Sequence, residues 1–268
     1  TRAAIWARVN ELRRLGYEIE ASPHLGYRLH STPDVLHADD LLTRLPHPRI
    51  VGRDIQVFQS TTSTNDVVEK LARDGVREGV VVFAESQTQG RGRLGRKWLS
   101  PPGKGLWFSV LLRPGVRPPE ATRLTVATAT ALRRAIQAET GLHPAIKWPN
   151  DIIIGDKKVA GILLELGAEE RKVEYCLVGI GIDANVNLES LNQTIRSTMT
   201  SISQEVNQNV DRAVLLAAIL KEFENRYEMI SQGEFDAVIR EWKNFSSTIG
   251  RRVRIVTLRT HFEGEAID

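Results

Sequence analysis

The chain has 268 residues, and its shares of 41% apolar and 26% charged residues are those of an ordinary globular protein. A net charge of +3 does not by itself indicate a nucleic-acid partner. The single cysteine, Cys176, excludes an internal disulfide and a cysteine-based zinc site and indicates a reducing, cytoplasmic environment. Because no apolar run approaches the length of a membrane span, we expect no membrane partner.

The N-terminal segment predicts a helix and then a hairpin. Ile5, Val9 and Leu12 recur at helical spacing within residues 1–16, and alternation on both sides of "SPHLG" predicts two short strands. A helix followed at once by a hairpin is typical of the second half of a winged helix-turn-helix, whose first helices we expect to be missing. The alternative is a small α/β appendage with no role in DNA binding.

The centre of the chain predicts a sheet with flanking helices, after a linker at 31–34 and a weak helix at 36–45. Because several strands follow one another directly through hairpin turns, the pattern favours an α+β fold over a regularly alternating parallel sheet. Strands are predicted at 55–60, 79–86, 105–114, at least three times within 145–182, and at 250–258; helices are predicted at 63–75, 119–140, 211–231 and 233–243.

A loop rich in glycine and arginine follows the second of these strands. "GRGRLG", residues 90–95, matches G-x-G-x-x-G, the fingerprint of dinucleotide-binding loops. That interpretation fails because Pro101 and Pro102 forbid the helix that must come next, and no Walker sequence is present. Alternating Gly and Arg instead suit a mobile loop that becomes ordered over a small anionic ligand. A solvated basic loop or a nonspecific nucleic-acid contact is the alternative.

Three further polar clusters stand at predicted strand ends. "KWPND" (147–151) places a lysine before a proline turn, and "KKVAGILLE" (157–165) carries two lysines before a strand. Gly161 inside that strand indicates a close approach of another group to the backbone. "GIGIDANVN" (179–187) runs from a strand into Asn and Asp residues. Together with the loop, these clusters predict a pocket for a nucleotide and a carboxylate.

These motifs, with "STN" at 63–65, resemble those of biotin protein ligases in order and spacing, over nearly the whole chain. Residues 1–30 are similar to the recognition helix and wing of the bifunctional biotin operon repressors. The resemblance implies an α+β ligase domain similar to class II synthetases, with a central mixed β-sheet flanked by helices. It divides the chain into a partial winged helix-turn-helix at 1–33, a catalytic domain at 34–246 and the start of an SH3-like β barrel at 247–268.

The resemblance also implies a reaction. The family joins biotin to ATP, with Mg²⁺, to give biotinyl-5′-AMP and pyrophosphate, and then transfers the biotinyl group to one lysine of a biotin carboxyl carrier protein. The bifunctional members form a homodimer when the adenylate is bound and repress the biotin operon, so operator DNA is an expected partner of the full-length protein. Because the first helices and the last barrel strands are expected to be missing, we expect DNA binding and acceptor docking to be impaired.

Carried over to matching positions, the family's site implies roles for individual residues. Lys147 is expected to bridge the biotin carboxylate and the α-phosphate, and Arg91, the second catalytic residue, to grip the same region. Arg93 is expected to close over the adenylate and Trp98 to cover the adenine. Mg²⁺ is expected to be carried mainly by the ATP phosphates, with Asn150 as a candidate ligand. The expected biotin-binding set is Ser63, Thr64, Asn65, Gln87, Arg91, Gly92, Arg93, Lys147 and Gly161; the set for ATP and the adenylate is Arg91, Arg93, Trp98, Lys147, Asn150, Lys158 and Asn185.

One motif departs from the family and two rival functions remain. "GIGIDANVN" stands where the family has the simpler "GIGINVN", which leaves open whether Asp183 or Asn185 contacts the nucleotide. A lipoate ligase is the nearest rival enzyme, and the Gly-Arg loop and "KWPND" favour biotin. A DNA-binding repressor with a decayed ligand domain is the rival from another class, and the presence of four intact motifs argues against it.

Overall fold

The computed structural model describes residues 1–23, 25–45, 50–169, 172–257 and 260–267. They separate into two compact units, Thr1–Val35 and Leu36–Asp268. None of the helices in these ranges is long and apolar enough to cross a membrane.

The first unit contains the predicted helix and hairpin. Helix α1 spans Arg2–Arg14 and is capped by Thr1, whose side chain accepts a hydrogen bond from the Ala4 N–H at 3.4 Å. Strands β1 (Glu18–Ser22) and β2 (Gly26–Ser31) then pair antiparallel.

The second unit contains a seven-stranded mixed sheet in the order β3-β4-β5-β9-β8-β7-β6. Only β3 and β4 are parallel, and every other neighbouring pair is antiparallel, so the predicted mixed sheet is confirmed. The strands are β3 Asp54–Phe58, β4 Val80–Ala84, β5 Leu106–Leu112, β6 Ala145–Lys147, β7 Asp151–Ile154, β8 Lys157–Glu169, β9 Lys172–Ile182, and a separate antiparallel pair, β10 Arg252–Val256 and β11 His261–Glu265. The helices are α2 Ala38–Arg44, α3 Thr64–Arg73, α4 Thr122–Thr140, α5 Gln193–Arg196, α6 Ile202–Val206, α7 Arg212–Ser231 and α8 Phe235–Asn244.

The long helices begin and end where local sequence signals predict. Asp211 caps α7 by accepting hydrogen bonds from the N–H groups of Ala213 and Val214. Gly141 ends α4 in the left-handed conformation, with φ of 71°.

One face of the seven-stranded sheet is covered by α4 and α7. Alternate residues of the central strands, such as Phe108, Val178 and Ile162, pack there against buried residues of these helices, such as Leu132 and Phe223. Each such fully buried side chain contributes about 1.5–3 kcal/mol to folding.

The opposite face is covered by α3 at one end only. There Val68 and Ala72 of α3 pack on Val82, Leu111 and Leu177 of the sheet. Next to the N-terminus of α3, the side chains of Arg91 and Glu165 are 32% and 34% exposed. We call the face that carries α3 the site face.

Candidate functional site

The beginning of α3 forms the buried floor of the candidate site. Ser63, Thr64 and Asn65 are each no more than 4% exposed. The backbone N–H of Thr64, which has no partner within the helix, donates to Oε1 of Gln87 at 2.8 Å. Because a backbone N–H can only donate, this contact fixes the orientation of the Gln87 amide, whose Nε2 donates to Ser100 at 2.9 Å.

A chain of hydrogen bonds extends from this floor across the sheet. Thr64 Oγ1 lies 2.6 Å from Ser109 Oγ, and Ser109 Oγ lies 2.5 Å from Asn65 Oδ1. Asn65 Nδ2 donates to Oε2 of Glu165 at 2.6 Å. Ser109 is fully buried, so its partners replace the water that the hydroxyl loses on folding. The side chains of Thr64, Ser109 and Asn65 therefore form an uncharged, hydrogen-bonded surface beside the Glu165 carboxylate. We call this surface the wall; it can recognise a polar ring.

Gly179 makes room for the Asn65 side chain. It lies on β9 between Ser109 on β5 and Leu163 on β8. A Cβ atom at this position would lie 2.5 Å from Asn65 Oδ1, which is closer than a carbon atom can approach. A glycine is therefore needed here for the amide to lie flat on the strand.

Two carboxylates hold the guanidinium of Arg91. Its Nε and Nη2 donate to Glu165 at 3.1 and 2.9 Å, and its Nη1 donates to Asp66 at 2.5 Å. The hydrogen bonds to Glu165 and, to a lesser extent, to Asp66 raise the pKa of the guanidinium above its ordinary value, although partial burial acts in the opposite direction. Three of its five N–H groups are therefore engaged within the protein.

The loop at 90–98 doubles back on itself as a small hairpin. The Trp98 N–H donates to the Gly90 carbonyl at 2.9 Å, and the Gly92 N–H donates to the Arg96 carbonyl at 2.7 Å. Leu94 at the turn has a φ of 58°, in the left-handed region. No helix follows before β5, as the prolines predict. The expected mobility of the empty loop stays a prediction.

A row of cross-strand neighbours lies on the site face. Because residues opposite each other in paired strands share a face, the register places these residues side by side across five strands. In order from the centre of the sheet to its edge they are Trp107, Gly181, Gly161, Asp151 and Lys147.

Trp98 lies on the two glycines of this row. A Cβ atom at Gly181 would lie 2.5 Å from the indole of Trp98, and one at Gly161 would lie 2.9 Å from it. The close approach predicted for Gly161 is therefore confirmed, and the approaching groups are Trp98 and Lys158. Trp98 also meets Trp107 edge to face, with ring centroids 6.2 Å apart.

The two lysines of the motifs differ in their surroundings. The ammonium of Lys158 lies 2.6 Å from Asp151 Oδ1 and 5.0 Å from the centroid of the Trp98 ring. Lys147 is exposed, and its ammonium forms no ion pair or hydrogen bond with any residue in the described ranges. We call Gly161 and Gly181 the glycine platform. Lys158 therefore lies over this platform, at Gly161, and Lys147 lies at the outer end of the row.

Asn150 and Arg93 meet over the end of the "KWPND" turn. Arg93 is exposed, and its Nη1 donates to Asn150 Oδ1 at 3.3 Å. Asn150 Nδ2 donates to the Ile162 carbonyl at 2.8 Å, so this amide joins the tip of the loop to β8. The contact brings two residues predicted to bind the adenylate within hydrogen-bond distance.

Asp183 and Asn185 occupy different environments. Both ends of the Asn185 amide are bonded to the backbone of Val210, with Nδ2 donating at 3.0 Å and Oδ1 accepting at 2.9 Å. Asp183 is 3% exposed, and its burial raises the pKa of the carboxyl well above its usual range while the charge of Lys158 opposes this shift. Of the two, Asp183 is the residue whose side chain is electrostatically coupled to the site.

The described residues fit a metal ion that arrives with a substrate better than one held by the protein alone. They include no group of three or more His, Cys, Asp or Glu side chains that could hold a metal. Asp151 places a carboxylate oxygen 2.6 Å from the Lys158 ammonium, and the neighbouring Asn150 offers the oxygen that accepts from Arg93. Mg²⁺ is commonly bound through one or two side-chain oxygens plus the phosphates of its nucleotide.

The sequence did not predict three of the residues that organise this site. Asp66 and Glu165 hold Arg91, and Ser109 connects Thr64 to Asn65. Ser109 is the lone polar residue in the apolar run "LWFSVLL", and a buried polar residue in such a run calls for a partner. Glu165 follows Gly161 at the strand period of two, so it shares a face with that glycine.

Comparison with known proteins identifies relatives along the whole chain. Residues 57–183 match the Biotin/lipoate A/B protein ligase family. The bifunctional ligase/repressor BirA of Bacillus subtilis is 36% identical over 100% of this chain and 82% of its own length; that of Escherichia coli is 29% identical over 96% and 77%. A biotin protein ligase from Aquifex aeolicus, solved in complex with biotin and ATP, is 27% identical and superposes with a TM-score of 0.69 over 80% of this chain and 86% of its own.

Proposed function

This chain belongs to the family of biotin protein ligases that includes the bifunctional ligase/repressors, and from this premise we propose that it joins biotin to ATP and passes the biotinyl group to a lysine of a biotin carboxyl carrier protein. In the first step a biotin carboxylate oxygen bonds to the α-phosphorus and pyrophosphate leaves. In the second step the acceptor amine bonds to the acyl carbon and AMP leaves.

The observation that carries this proposal is the pairing of two kinds of surface on the site face. The buried wall of Thr64, Asn65 and Ser109 is uncharged and offers hydrogen bonds. The adjacent row carries the cations Lys158 and Lys147 beside a glycine platform. The wall suits a polar ring, and the two lysines of the row suit the carboxylate tail of that ring and the phosphates of a nucleoside triphosphate beside it.

The hydrogen-bonded wall favours biotin over lipoate. The cyclic urea of biotin has two N–H donors and one carbonyl acceptor, whereas the dithiolane ring of lipoate has neither. Packing a dithiolane against this wall would leave buried polar groups without partners, at about 1–3 kcal/mol for each group. A site built to pair with polar groups rejects an analogue that lacks them.

The order of residues along the row supports a division of labour between the two lysines. Lys158 lies over the glycine platform next to the wall, so we assign it to the biotin carboxylate. Lys147 lies at the outer end, so we assign it to the ATP phosphates, which differs from the sequence-based assignment of Lys147 to the carboxylate and Lys158 to the β- and γ-phosphates. Both charges would offset the repulsion between carboxylate and α-phosphate and stabilise the charge that develops on phosphorus.

The two arginines of the loop also act differently in this proposal. Arg91 is bonded to Asp66 and Glu165, so it anchors the base of the loop and keeps two N–H groups for a ligand. Within the described part of the chain the Arg93 side chain makes one hydrogen bond, to Asn150, and it is the residue that can close over the adenylate. A closed loop excludes water from a mixed anhydride that water would otherwise hydrolyse.

Mg²⁺ would enter with ATP, and Asn150 and Asp151 are the residues that would hold it. When bound, the ion neutralises phosphate charge. Trp98 would stack on the adenine from its position on Gly161 and Gly181.

Biotin-dependent exchange of labelled pyrophosphate into ATP tests the proposal, with lipoate at the same concentration as the matched control. We expect exchange with biotin and none above background with lipoate. Exchange with lipoate alone would assign the chain to lipoate ligases, and exchange with neither acid would leave only the DNA-binding rival.

The division between the lysines has its own test, in which biotin affinity is measured without ATP and exchange is measured with it. Lys158→Ala should weaken biotin binding by about tenfold or more, because a charge-assisted contact is lost. Lys147→Ala should bind biotin as the wild type does and abolish exchange. The reverse pattern would restore the assignment made from the sequence.

The first unit supports a second role, as a biotin-responsive repressor that binds operator DNA as a homodimer. Arg13 of α1 donates to the Ile19 carbonyl at 2.9 and 2.6 Å, which joins the helix to the hairpin, and Arg2, Arg8 and Arg14 of α1 are exposed. A basic helix beside a hairpin is the arrangement that winged helix-turn-helix proteins present to DNA. We accordingly propose DNA-binding, catalytic and barrel segments at 1–33, 34–246 and 247–268, acting in the cytoplasm.

Selection from a random pool of DNA duplexes tests this role in the full-length protein, for which operator DNA is the expected partner. With biotin and ATP present we expect enrichment of an inverted repeat, since a two-fold symmetric dimer reads two half-sites. Without them we expect no enrichment. The role is contradicted if the two selections give the same sequences.

A further inference from the structure

Glu165 contacts two residues of the proposed biotin site at once. It lies on β8, on the site face, and its side chain is 34% exposed. Oε2 accepts from Asn65 Nδ2 at 2.6 Å and from Arg91 Nη2 at 2.9 Å, while Oε1 accepts from Arg91 Nε at 3.1 Å. The carboxylate therefore joins the hydrogen-bonded wall to the base of the loop.

The charge of Glu165 determines which way every hydrogen bond of the wall points. A carboxylate can only accept, so the NH₂ group of Asn65 must face Glu165 and its Oδ1 must face Ser109. The single hydroxyl proton of Ser109 is then given to Asn65. The 2.6 Å contact between Ser109 and Thr64 consequently takes the proton of Thr64. The other acceptor near this hydroxyl, Gln87 Oε1, lies farther away at 3.2 Å and already accepts from the Thr64 N–H.

This order leaves a defined set of groups for a ligand. The Thr64 hydroxyl has given its proton to Ser109, so only its lone pairs remain free to accept. Asn65 keeps one N–H that Glu165 does not use. A cyclic urea needs an acceptor for its N–H groups and a donor for its carbonyl, and the wall offers one of each.

We propose that Glu165 is a positioning residue that sets the donor–acceptor polarity of the wall and thereby its selectivity for a cyclic urea. This inference rests on the proposed biotin site. A neutral amide in place of Glu165 both donates and accepts, so the Asn65 amide is free to turn over, which reverses Ser109 and Thr64 with it. Ser109, in the middle of the chain of hydrogen bonds, is fully buried, so water does not restore the order from within the wall.

Glu165→Gln tests this role because it removes the charge and keeps the shape. The probes are biotin and 2-iminobiotin, in which a protonated imino group replaces the ring carbonyl and turns an acceptor into a donor. Their dissociation constants are measured by calorimetry on the intact chain without ATP. Asp66→Asn is the matched control, since the Asp66 side chain also holds Arg91 and accepts from Thr62 but makes no hydrogen bond to the Asn65 side chain.

Glu165→Gln should weaken biotin by about tenfold and 2-iminobiotin by much less, because one correctly oriented hydrogen bond is worth about that factor. The ratio of the 2-iminobiotin dissociation constant to the biotin dissociation constant should therefore fall. Asp66→Asn should keep the wild-type ratio, whatever it does to the affinities. Glu165→Asp, which keeps the charge, should retain more of the preference than Glu165→Gln.

An unchanged ratio in Glu165→Gln overturns the inference, even if both affinities fall, because a merely structural role weakens both probes alike. An equal change in Asp66→Asn also overturns it, since the effect would then come through Arg91. If Glu165→Gln does not fold, Ser109→Ala must lower the ratio, because it breaks the same chain. If the wild type binds biotin and the variants do not change the ratio, only the role of Glu165 is rejected. If the wild type binds neither probe, the biotin site itself is rejected.

Discussion

Gly179→Ala adds one methyl group at the point where the structure leaves no space for it. The new carbon would lie 2.5 Å from Asn65 Oδ1 and 3.1 Å from both Cγ and Nδ2. The main chain of β9 is paired on both sides, with β5 and β8, so the Asn65 side chain is the group that must move. Its movement breaks the contacts with Ser109 and Glu165.

The magnitude follows from these contacts. Overpacking of a well-packed position costs about 1–3 kcal/mol of unfolding free energy. Biotin loses its contact with Asn65, which is worth about 1–2 kcal/mol, so its dissociation constant should rise about 5- to 30-fold. Calorimetric titration with biotin and urea denaturation measure the two effects. Gly264→Ala is the control, since nothing lies within 4 Å of the added carbon there.

A double-mutant cycle separates the clash from any general damage to the sheet. Asn65→Ala removes the group that the new methyl would strike. If the reasoning is right, Gly179→Ala should cost almost nothing further in an Asn65→Ala background, so the two effects on biotin affinity should be strongly non-additive. Additive effects, or a Gly179→Ala protein with wild-type affinity, would refute it.

Three other changes have defined outcomes. Asp183→Asn should raise the thermal midpoint at pH 7. The buried carboxyl has a raised pKa, so it favours the folded state at acid pH and loses that contribution as the pH rises, whereas the amide stays neutral. The gain in midpoint should shrink towards about pH 4, and a gain independent of pH would contradict this. Glu85→Ala should cost about 3–5 kcal/mol in urea denaturation, since the fully buried Arg212 loses a carboxylate 2.7 Å away, and a cost below about 1 kcal/mol would show that the pair contributes little. Arg93→Gly should speed release of biotinyl-5′-AMP in a chase experiment, and an unchanged release rate would argue against loop closure.

The helices were predictable because their boundaries are local signals. Thr1, Asp211 and Gly141 each act within one turn of the helix that they begin or end. The strand order was not predictable, because it depends on pairing between segments far apart in the chain, such as β5 with β9. The short helices α5 and α6 were not predicted either, since they are too short to establish a hydrophobic period. Strand β11 was not predicted because Phe262 is the one large apolar residue in its sequence, "HFEGE".

The candidate site was predictable as a set of motifs but not as a geometry. The motifs indicated Asn65, Arg91 and Lys158, yet the partners of these residues come from other segments. Glu165 lies 100 positions from Asn65 and 74 from Arg91, so only the fold can reveal their contacts. The roles of the two lysines likewise depend on their order along a row that spans five strands.

Direct detection of the adenylate is the most immediate test of the proposed ligase activity. The chain is incubated with biotin, ATP and Mg²⁺, the protein is removed, and the small molecules are analysed by mass spectrometry, with lipoate in place of biotin as the control. We expect biotinyl-5′-AMP with biotin and no lipoyl-5′-AMP with lipoate. Biotin that remains unmodified, in a preparation that calorimetry shows to bind it, would contradict the claim that this face of the sheet activates a carboxylate.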